Sequence, residues 1–332
     1  MIEGLLPAAS QEIETAFLAS VDLIRSDADF GKLVNSIKRN DIEAALDAIR
    51  VDDAAFAVFS AQLVQAFATG GNAGAKSMPA RKKDGSKLLV RFNERNVDAE
   101  NWIRGHSSNA VKEIVDDQRT LIRNALSAGI QAGENPRTTA LDLVGRIDKK
   151  TGKRIGGSIG LTSSQEQIVR NAAAELDGGD LRNYLTRKAR DKRFDRHVAR
   201  ALRTGQPIPA DIRQKMISRY KDNYLRLRGE TIGLTEAMAT LHRGRYQAFA
   251  QAIAAGDVLP EEVVRTWNTA SDSRVRDSHR AMNGQTIGFN AKYRTPSGAT
   301  LLHPGDPSGP PSEIIRCRCT ESIRVNYLNR LR

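Results

Sequence analysis

The sequence from Trp267 to Cys319 reads WNTASDSRVRDSHRAMNGQTIGFNAKYRTPSGATLLHPGDPSGPPSEIIRCRC. It contains both cysteines of the protein, one residue apart, together with a tryptophan, two histidines and several aspartates. No other part of the chain is as dense in such residue types. The stretch therefore predicts a small folded unit at the C-terminal end, and the remaining sequence is typical of a scaffold.

The two cysteines are poorly placed to bridge each other, so a disulfide framework is excluded and synthesis in a reducing compartment is expected. A Cys-X-Cys pair can instead share one metal ion, with histidine or aspartate completing a tetrahedron. Zinc sites more often combine two Cys-X2-Cys pairs, and the alternative is a pair of cysteines on a strand with one face buried. We predict no cofactor, with zinc as the candidate if a metal binds. Its candidate ligands are Cys317, Cys319, His279 and His303, with Asp272 or Asp306 as substitutes.

The same stretch allows two catalytic interpretations. Asp272, His279 and Cys317 have the residue types of a thiol nucleophile with its base and orienting group. Arg274 and Arg276 beside His279 have the residue types of a nuclease. Charged groups in small units are more often paired structurally, so we predict no catalytic residues and no enzymatic activity.

The composition is that of a helix-rich soluble protein. Of 332 residues, 27% are charged and 5% are aromatic. No apolar run approaches the roughly 18 residues that a membrane-spanning helix needs, and the N-terminal residues do not resemble a secretory signal. We expect synthesis in the cytoplasm and no membrane contact.

Charge is unevenly distributed along the chain. Residues 1–70 contain 11 acidic and 5 basic residues, whereas residues 71–332 contain 28 acidic and 46 basic residues. The basic part is suited to an anionic partner such as DNA, and the acidic part to docking on a protein.

Apolar periodicity predicts a predominantly α-helical α+β fold, a multi-helix body with a small C-terminal α+β domain. Predicted helix starts include Asp41, Asn135 followed by Pro136, and a capping box at Thr162. A long helix is expected to end before Gly256. The predicted divisions are an acidic helical segment at 1–70, with three short helices, a basic Gly/Ala-rich linker at 71–87, a helical body at 88–256 and the C-terminal domain at 257–332.

Residues 180–204 are predicted to form the most basic helix, with nine Lys/Arg against three Asp. Few aromatic residues accompany them, so contact with double-stranded DNA would be non-specific and through phosphates. An exposed, merely solvated face is an equally good interpretation. The candidate DNA-contact residues are Arg187, Lys188, Arg190, Arg193, Arg196 and Arg200.

A resemblance rests on many unlike residues in a fixed order. They are Arg265-Thr266-Trp267, Asp272, Arg274-Val275-Arg276, His279, Gly284-Gln285, Phe289, Pro304-Gly305-Asp306-Pro307, Glu313-Ile314-Ile315 and Cys317-Arg318-Cys319. This pattern resembles the phage head morphogenesis domain of the bacteriophage Mu F-like minor head proteins. The likeness extends over roughly residues 90–325 and is most specific in the last sixty or so.

The resemblance implies a minor capsid protein inside the virion, near the portal and the packaged DNA, made in the host cytoplasm. Its implied partners are the portal protein, the major capsid or scaffolding protein and double-stranded DNA. It implies a role in head assembly, with a further role in DNA ejection to be considered. The alternatives are a nuclease or toxin-like enzyme in the virion that uses the C-terminal His/Asp/Cys cluster, and a DNA-binding protein unrelated to virions.

Overall fold

Helices contain 62% of the residues and strands 8%, which confirms the predominantly helical α+β class. A computed structural model describes residues 2–327. The helices are α1 Ile2–Asp27, α2 Phe30–Lys38, α3 Ile42–Ile49, α4 Ala57–Lys76, α5 Val97–Gln131, α6 Pro136–Val144, α7 Ser163–Leu176, α8 Leu181–Thr186, α9 Asp195–Thr204, α10 Ala210–Ala254, α11 Asp277–Ala281 and α12 Pro311–Ile314. Short 3-10 helices occupy Asp53–Phe56, Lys192–Phe194 and Pro260–Glu262.

The predicted helix starts are confirmed by their capping contacts. The Asp41 carboxylate accepts a hydrogen bond from the backbone N–H of Ala44 at 3.0 Å, at the start of α3. Thr162 and Gln165 form a reciprocal capping box at the start of α7. Each cap satisfies backbone N–H groups that have no partner within the helix, which is why these residue types predicted the boundaries.

The strands are short and antiparallel. β1 Arg146–Ile147 pairs with β2 Arg154–Ile155, and β5 Tyr293–Arg294 pairs with β6 Thr300–Leu301. A three-stranded sheet has the order β4-β3-β7, from β3 Val263–Asn268, β4 Thr286–Gly288 and β7 Thr320–Val325. Alternate residues of β3 are buried, so Val263, Arg265 and Trp267 face the interior while their neighbours are half-exposed.

The chain divides into two compact units. The first comprises Met1–Ala16, Phe59–Asn109 and Glu230–Arg332, and includes the three-stranded sheet; the second comprises Phe17–Val58 and Ala110–Gly229. The residues of α1, α4, α5 and α10 are divided between them. Within the first unit, Met238, Trp267, Met282, Tyr293 and Leu301 form an apolar cluster with the two cysteines.

The predicted linker at 71–87 is helical in its first part, because α4 continues to Lys76. The glycines that suggested a flexible segment are buried in a close helix contact. A Cβ atom on Gly70 would lie 2.1 Å from the backbone oxygen of Leu241 in α10, and one on Gly74 would lie 3.0 Å from that of Arg245. Glycine lets the two backbones approach, so here it marks packing and not disorder.

Two other helix predictions need correction. The three short helices expected between residues 10 and 70 are four α-helices and one 3-10 turn, with α1 alone 26 residues long. The helix expected over 180–204 is interrupted between Thr186 and Lys192, leaving the short α8 and α9. Arg187 and Arg190 lie in that interruption and fold back onto carboxylates, as described below.

The long helix before Gly256 is confirmed as α10, with Gly233 in its interior. A Cβ atom at Gly233 would lie 2.4 Å from the backbone oxygen of Ser10, in the same unit. Replacing Gly233 by a residue with a higher helix propensity would therefore force α10 and α1 apart at this point.

By length and composition alone, the stretch Ile42–Lys76 would pass as a membrane span. In its most apolar window, 44% is buried inside the protein, and because core helices of soluble proteins pass the same test of length and composition, this is weak evidence. The stretch is also interrupted, since α3 ends at Ile49 and α4 begins at Ala57. That the protein contacts no membrane stays a prediction.

Candidate metal centre

Three of the four predicted metal ligands come together in the first unit. Nδ1 of His279 lies 3.6 Å from Sγ of Cys317 and 3.4 Å from Sγ of Cys319. The three donor atoms all lie within 4.8 Å of one another, and the residues are 1%, 1% and 2% exposed. Imidazole nitrogen and two thiol sulfurs form a donor set for a borderline-soft metal ion.

The local chain conformation turns both cysteines inward. They lie in the irregular segment before β7, not on a strand with one exposed face. Arg316 has a positive φ of 54°, unusual for a non-glycine residue, and the Arg318 side chain between the cysteines reaches Asp272. Cys317 and Cys319 are therefore both buried, while Arg318 between them forms an ion pair with Asp272 at the surface.

Glu313, on α12, occupies the opposite side of the His279 ring. Its Oε2 lies 3.0 Å from Nε2 of His279, within ion-pair distance, although Nε2 makes no hydrogen bond of standard geometry to any described residue. The hydroxyls of Ser278 and Ser297 donate hydrogen bonds to the carboxylate at 2.8 and 3.2 Å. Glu313 is not among the candidate metal ligands predicted from the sequence, although it is one of the residues on which the resemblance rests.

Trp267 covers the centre from β3. It is fully buried, and its ring meets those of His279 and Tyr293 edge-on, with centroids 5.1 Å away in both cases. The indole Nε1 is buried without a hydrogen bond of standard geometry to any described residue, although its interaction with Cys319 acts to lower the pKa of that thiol. The motif tryptophan thus forms an apolar wall beside the histidine.

The two thiols have opposite tendencies to ionise. Cys319 and the His279 ring hold the pKa of Cys317 well below its usual value, although burial opposes this. The pKa of Cys319 is raised, chiefly by its contact with Cys317 and then by burial. One thiolate therefore forms readily, and its charge disfavours a second one unless a cation is present.

The remaining motif residues form the surrounding loops. Both oxygens of Asp272 accept hydrogen bonds from Arg318, at 2.6 and 2.8 Å, which holds the pKa of Asp272 below its usual range. Arg274 contacts the same carboxylate, and Arg276 donates to the backbone oxygen of Ile315. Gly284 has a φ of +81°, a conformation that glycine adopts without strain, in the turn before β4.

These contacts do not assemble the predicted catalytic sets. The carboxylate beside His279 is Glu313 and not Asp272, which is held by Arg318. Thiol, imidazole and carboxylate do follow one another, as in a cysteine nucleophile. The sulfur and both ring nitrogens are buried, however, so a substrate has no path to them in this conformation.

His303 lies away from the metal centre, contrary to the prediction. Its Nδ1 contacts the backbone oxygen of Pro304 at 3.0 Å, and its ring stacks on His242 of α10 with centroids 6.0 Å apart. Burial is the main reason that the pKa of His303 is lowered to about 4. Asp306 is also elsewhere, accepting hydrogen bonds from the backbone N–H of Leu302 and Ser308. The turn His303–Pro307 thus belongs to a buried polar cluster that is separate from the candidate metal centre.

This second cluster includes a buried ion pair that sequence reasoning missed. Arg265 on β3 contacts Glu321 on β7 at 3.3 Å, and Tyr293 donates a hydrogen bond to the same carboxylate at 3.2 Å. Arg265 also donates to the backbone oxygen of Phe289 at 2.7 Å. Strand alternation could have indicated that both charges face inward, but not that they meet.

The six predicted DNA-contact residues fall into two groups. Arg187 pairs with Glu175 at 2.6 Å, Arg190 with Asp195 at 2.9 Å, and Arg193 with Asp191 at 2.6 Å. The Arg187 and Arg190 side chains are only 16% and 14% exposed, so both are structural ion pairs. The exposed members without an ion pair to any described residue are Lys188, Arg196 and Arg200.

Comparison with known proteins gives one family. Residues 192–322 match the family described as Phage Mu protein F like protein, and this range includes α9, α10 and the cluster of His279, Cys317 and Cys319. No curated protein and no solved structure is significantly similar to the chain.

Proposed function

From the premise that residues 192–322 form a Mu F-like phage head morphogenesis domain, we propose that the chain is a minor capsid protein. It acts inside the head, near the portal vertex and the packaged DNA, in head assembly and in preparing DNA ejection. The observation that supports this most strongly is the family match, which includes every motif position from Trp267 to Cys319. The function assigned to such domains is structural and belongs to the virion.

A structural role also agrees with the buried chemistry of the C-terminal region. The thiols and the imidazole that could support catalysis are at most 2% exposed, and Asp272 is engaged by Arg318. Trp267 and Tyr293 close the same region with fully buried rings. Its residues are arranged to hold chain segments together, so we propose that the protein is not an enzyme.

DNA contact in this proposal comes from α9. Arg196, Arg200 and Arg203 are exposed and follow each other at i, i+4 and i+7, which places them on one face of the helix. Such a face neutralises phosphates without reading bases. Together with the excess of basic residues after residue 70, it supports non-specific binding to double-stranded DNA.

Protein contacts are assigned to the acidic residues 1–70. Their 11 acidic side chains are suited to docking on the portal protein or on the major capsid or scaffolding protein. The helices that follow residue 87 are the alternative docking region. These partners would position the basic residues against the genome.

Co-purification with the head proteins tests the proposal. The full chain, tagged and expressed together with the portal and major head proteins encoded beside it, should be retained with the portal through size-exclusion chromatography. Raising the salt concentration should remove DNA before it removes the portal. Retention of nucleic acid with no head protein would instead support a DNA-binding protein unrelated to virions.

Nuclease assays address the enzymatic alternative. The protein should leave DNA and RNA intact with magnesium, manganese or zinc. Cleavage that disappears in a folded His279→Ala variant would establish the virion-borne enzyme in place of the structural role.

A further inference from the structure

We infer that His279, Cys317 and Cys319 bind one zinc ion that fixes the C-terminal part of the chain. This inference goes beyond the role in head morphogenesis and does not depend on it. It rests on the distances among the three donor atoms, on their burial and on the group that faces the other side of the imidazole ring.

The donor distances are those of a shared tetrahedral ion. Zinc bonds of about 2.3 Å to sulfur and about 2.0–2.1 Å to nitrogen, at a tetrahedral angle, place nitrogen and sulfur about 3.5 Å apart. The two observed distances from Nδ1 of His279 are 3.6 Å to Cys317 and 3.4 Å to Cys319. Both sulfurs therefore lie where one ion could bond all three atoms.

Hydrogen bonds to Nδ1 account for only one of the two thiols, and the second thiol is left to interact with the first. A ring nitrogen of neutral histidine has one lone pair, so Nδ1 can accept only one thiol S–H. Two thiols nevertheless converge on this nitrogen in a site where each residue is at least 98% buried. A cation between the three atoms satisfies the nitrogen and both sulfurs at once.

The surroundings of the histidine suit a metal ligand. A ligating histidine generally gives its other ring N–H to a carboxylate, which fixes the tautomer and the ring orientation. Glu313 lies 3.0 Å from Nε2 and is itself held by Ser278 and Ser297. With the proton on Nε2, the lone pair of Nδ1 is available to an ion that lies between it and the two sulfurs.

The chemistry of the donors selects the metal. Two thiolates and one imidazole favour zinc over magnesium or calcium, which prefer oxygen ligands. A zinc ion also neutralises the two thiolates, and Arg318 between them is already paired with Asp272. The described side chains supply three donors, and a water or another small donor takes the fourth position.

The ion would join three separate segments of the chain. His279 is on α11, which has five residues, Glu313 is on α12, which has four, and the cysteines precede β7. Helices this short have little stability of their own. Zinc binding would therefore contribute directly to the folding free energy of this region.

Elemental analysis of the full chain, purified without chelator, is the direct test. We expect about one equivalent of zinc, and cobalt replacing it should give the thiolate charge-transfer absorption and intense visible bands of a tetrahedral thiolate site. Both thiols should resist a thiol reagent until a chelator is added. Less than roughly a tenth of an equivalent, even after zinc is supplied to the folded protein, would overturn the inference.

Variants identify the ligands. Cys317→Ser, Cys319→Ser and His279→Asn should each lose the zinc, whereas His303→Asn, at a buried histidine outside the site, should keep it. Glu313→Gln should keep the stoichiometry and lower the affinity by about 10–100-fold. If a ligand variant unfolds, the wild-type analysis and the thiol protection still decide the question. Zinc retained at full stoichiometry by both serine variants would place the ion elsewhere and contradict the inference.

Discussion

Arg265 and Glu321 form an ion pair at 3.3 Å in which neither side chain is exposed to solvent. The pair joins the central strand β3 to β7, and Arg265 is 0% exposed as a whole residue. A buried charge that loses its partner is poorly solvated, which makes such pairs costly to break one side at a time. The pair therefore fixes how the C-terminal sheet packs inside its unit.

Replacing Arg265 by alanine should lower the free energy of unfolding by about 3–5 kcal/mol, because the Glu321 carboxylate would stay buried without its cation. Arg104→Ala, which removes an exposed i,i+4 pair with Glu100, should change it by at most about 0.5 kcal/mol. Urea denaturation of the two variants beside the wild type measures both values. Equal effects would show that the buried pair is not a major stabilising contact.

The close approach of α4 and α10 predicts a large effect for a single methyl group. In Gly244→Ala, the new Cβ would lie 2.0 Å from the backbone oxygen of Phe67, so the helices must separate and we expect a loss of about 1–3 kcal/mol or more. Gly105→Ala is the matched control, because Gly105 is exposed in α5 with no atom within 4 Å of the new Cβ. That control should gain about 0.5–1 kcal/mol from helix propensity. Thermal unfolding midpoints that move in the same direction would contradict the packing.

The lowered pKa of His303 predicts that the free energy of unfolding depends on pH. Its pKa in the folded protein is lowered from 6.5 to about 4, chiefly by burial, with His242 adding to the shift and Asp306 and Glu321 opposing it. Between these values the unfolded chain binds a proton that the folded protein does not. The free energy of unfolding should therefore fall as the pH drops from about 6.5 to about 4, by up to roughly 3 kcal/mol.

The His303→Asn variant separates this contribution from other groups. Its unfolding free energy should decline less steeply than that of the wild type between pH 7 and pH 5. His197→Asn, in the other unit, should leave the wild-type slope unchanged. If the unfolding free energies of wild type and His303→Asn change equally with pH, another group is responsible.

The exposed face of α9 predicts a decrease in DNA affinity when its charges are removed. Replacing Arg196, Arg200 and Arg203 together by glutamine should weaken binding to duplex DNA of any sequence. It should also reduce the slope of log affinity against log salt by up to about 3, near 0.9 for each phosphate that is no longer neutralised. Fluorescence anisotropy at several salt concentrations measures both.

Lys149, Lys150 and Lys153 give a control with the same change in charge, in the basic loop between β1 and β2. Their replacement by glutamine should have the smaller effect. If the loop variant loses as much affinity as the α9 variant, DNA binding depends on overall charge and not on this helix face.

The sequence alone was sufficient where the structure depends on neighbours along the chain. Asp41, Thr162 and Asn135 cap their helices through residues two or three positions away, so their spacing predicted the boundaries. The grouping of His279 with the two cysteines could be proposed because the residue types are few and lie in one short stretch. Local spacing and unusual composition can be recognised from the sequence before the fold is known.

Prediction failed where contacts between distant segments decide the outcome. Gly74 looked like part of a linker because the sequence does not reveal the α10 backbone against which it packs. Arg190 looked like a DNA contact because its pairing with Asp195 depends on the break between α8 and α9. His303 lies away from the cysteines, and Glu313 lies beside His279, because short loops and not periodic elements determine where each side chain points.

Quantitative mass spectrometry of purified heads tests the proposed function most directly. The account predicts a few copies of the chain in each mature head and in its precursors, present in the portal-proximal fraction after disassembly. Absence of the chain from mature heads and precursors alike, in a lysate that contains it, would contradict a minor capsid protein.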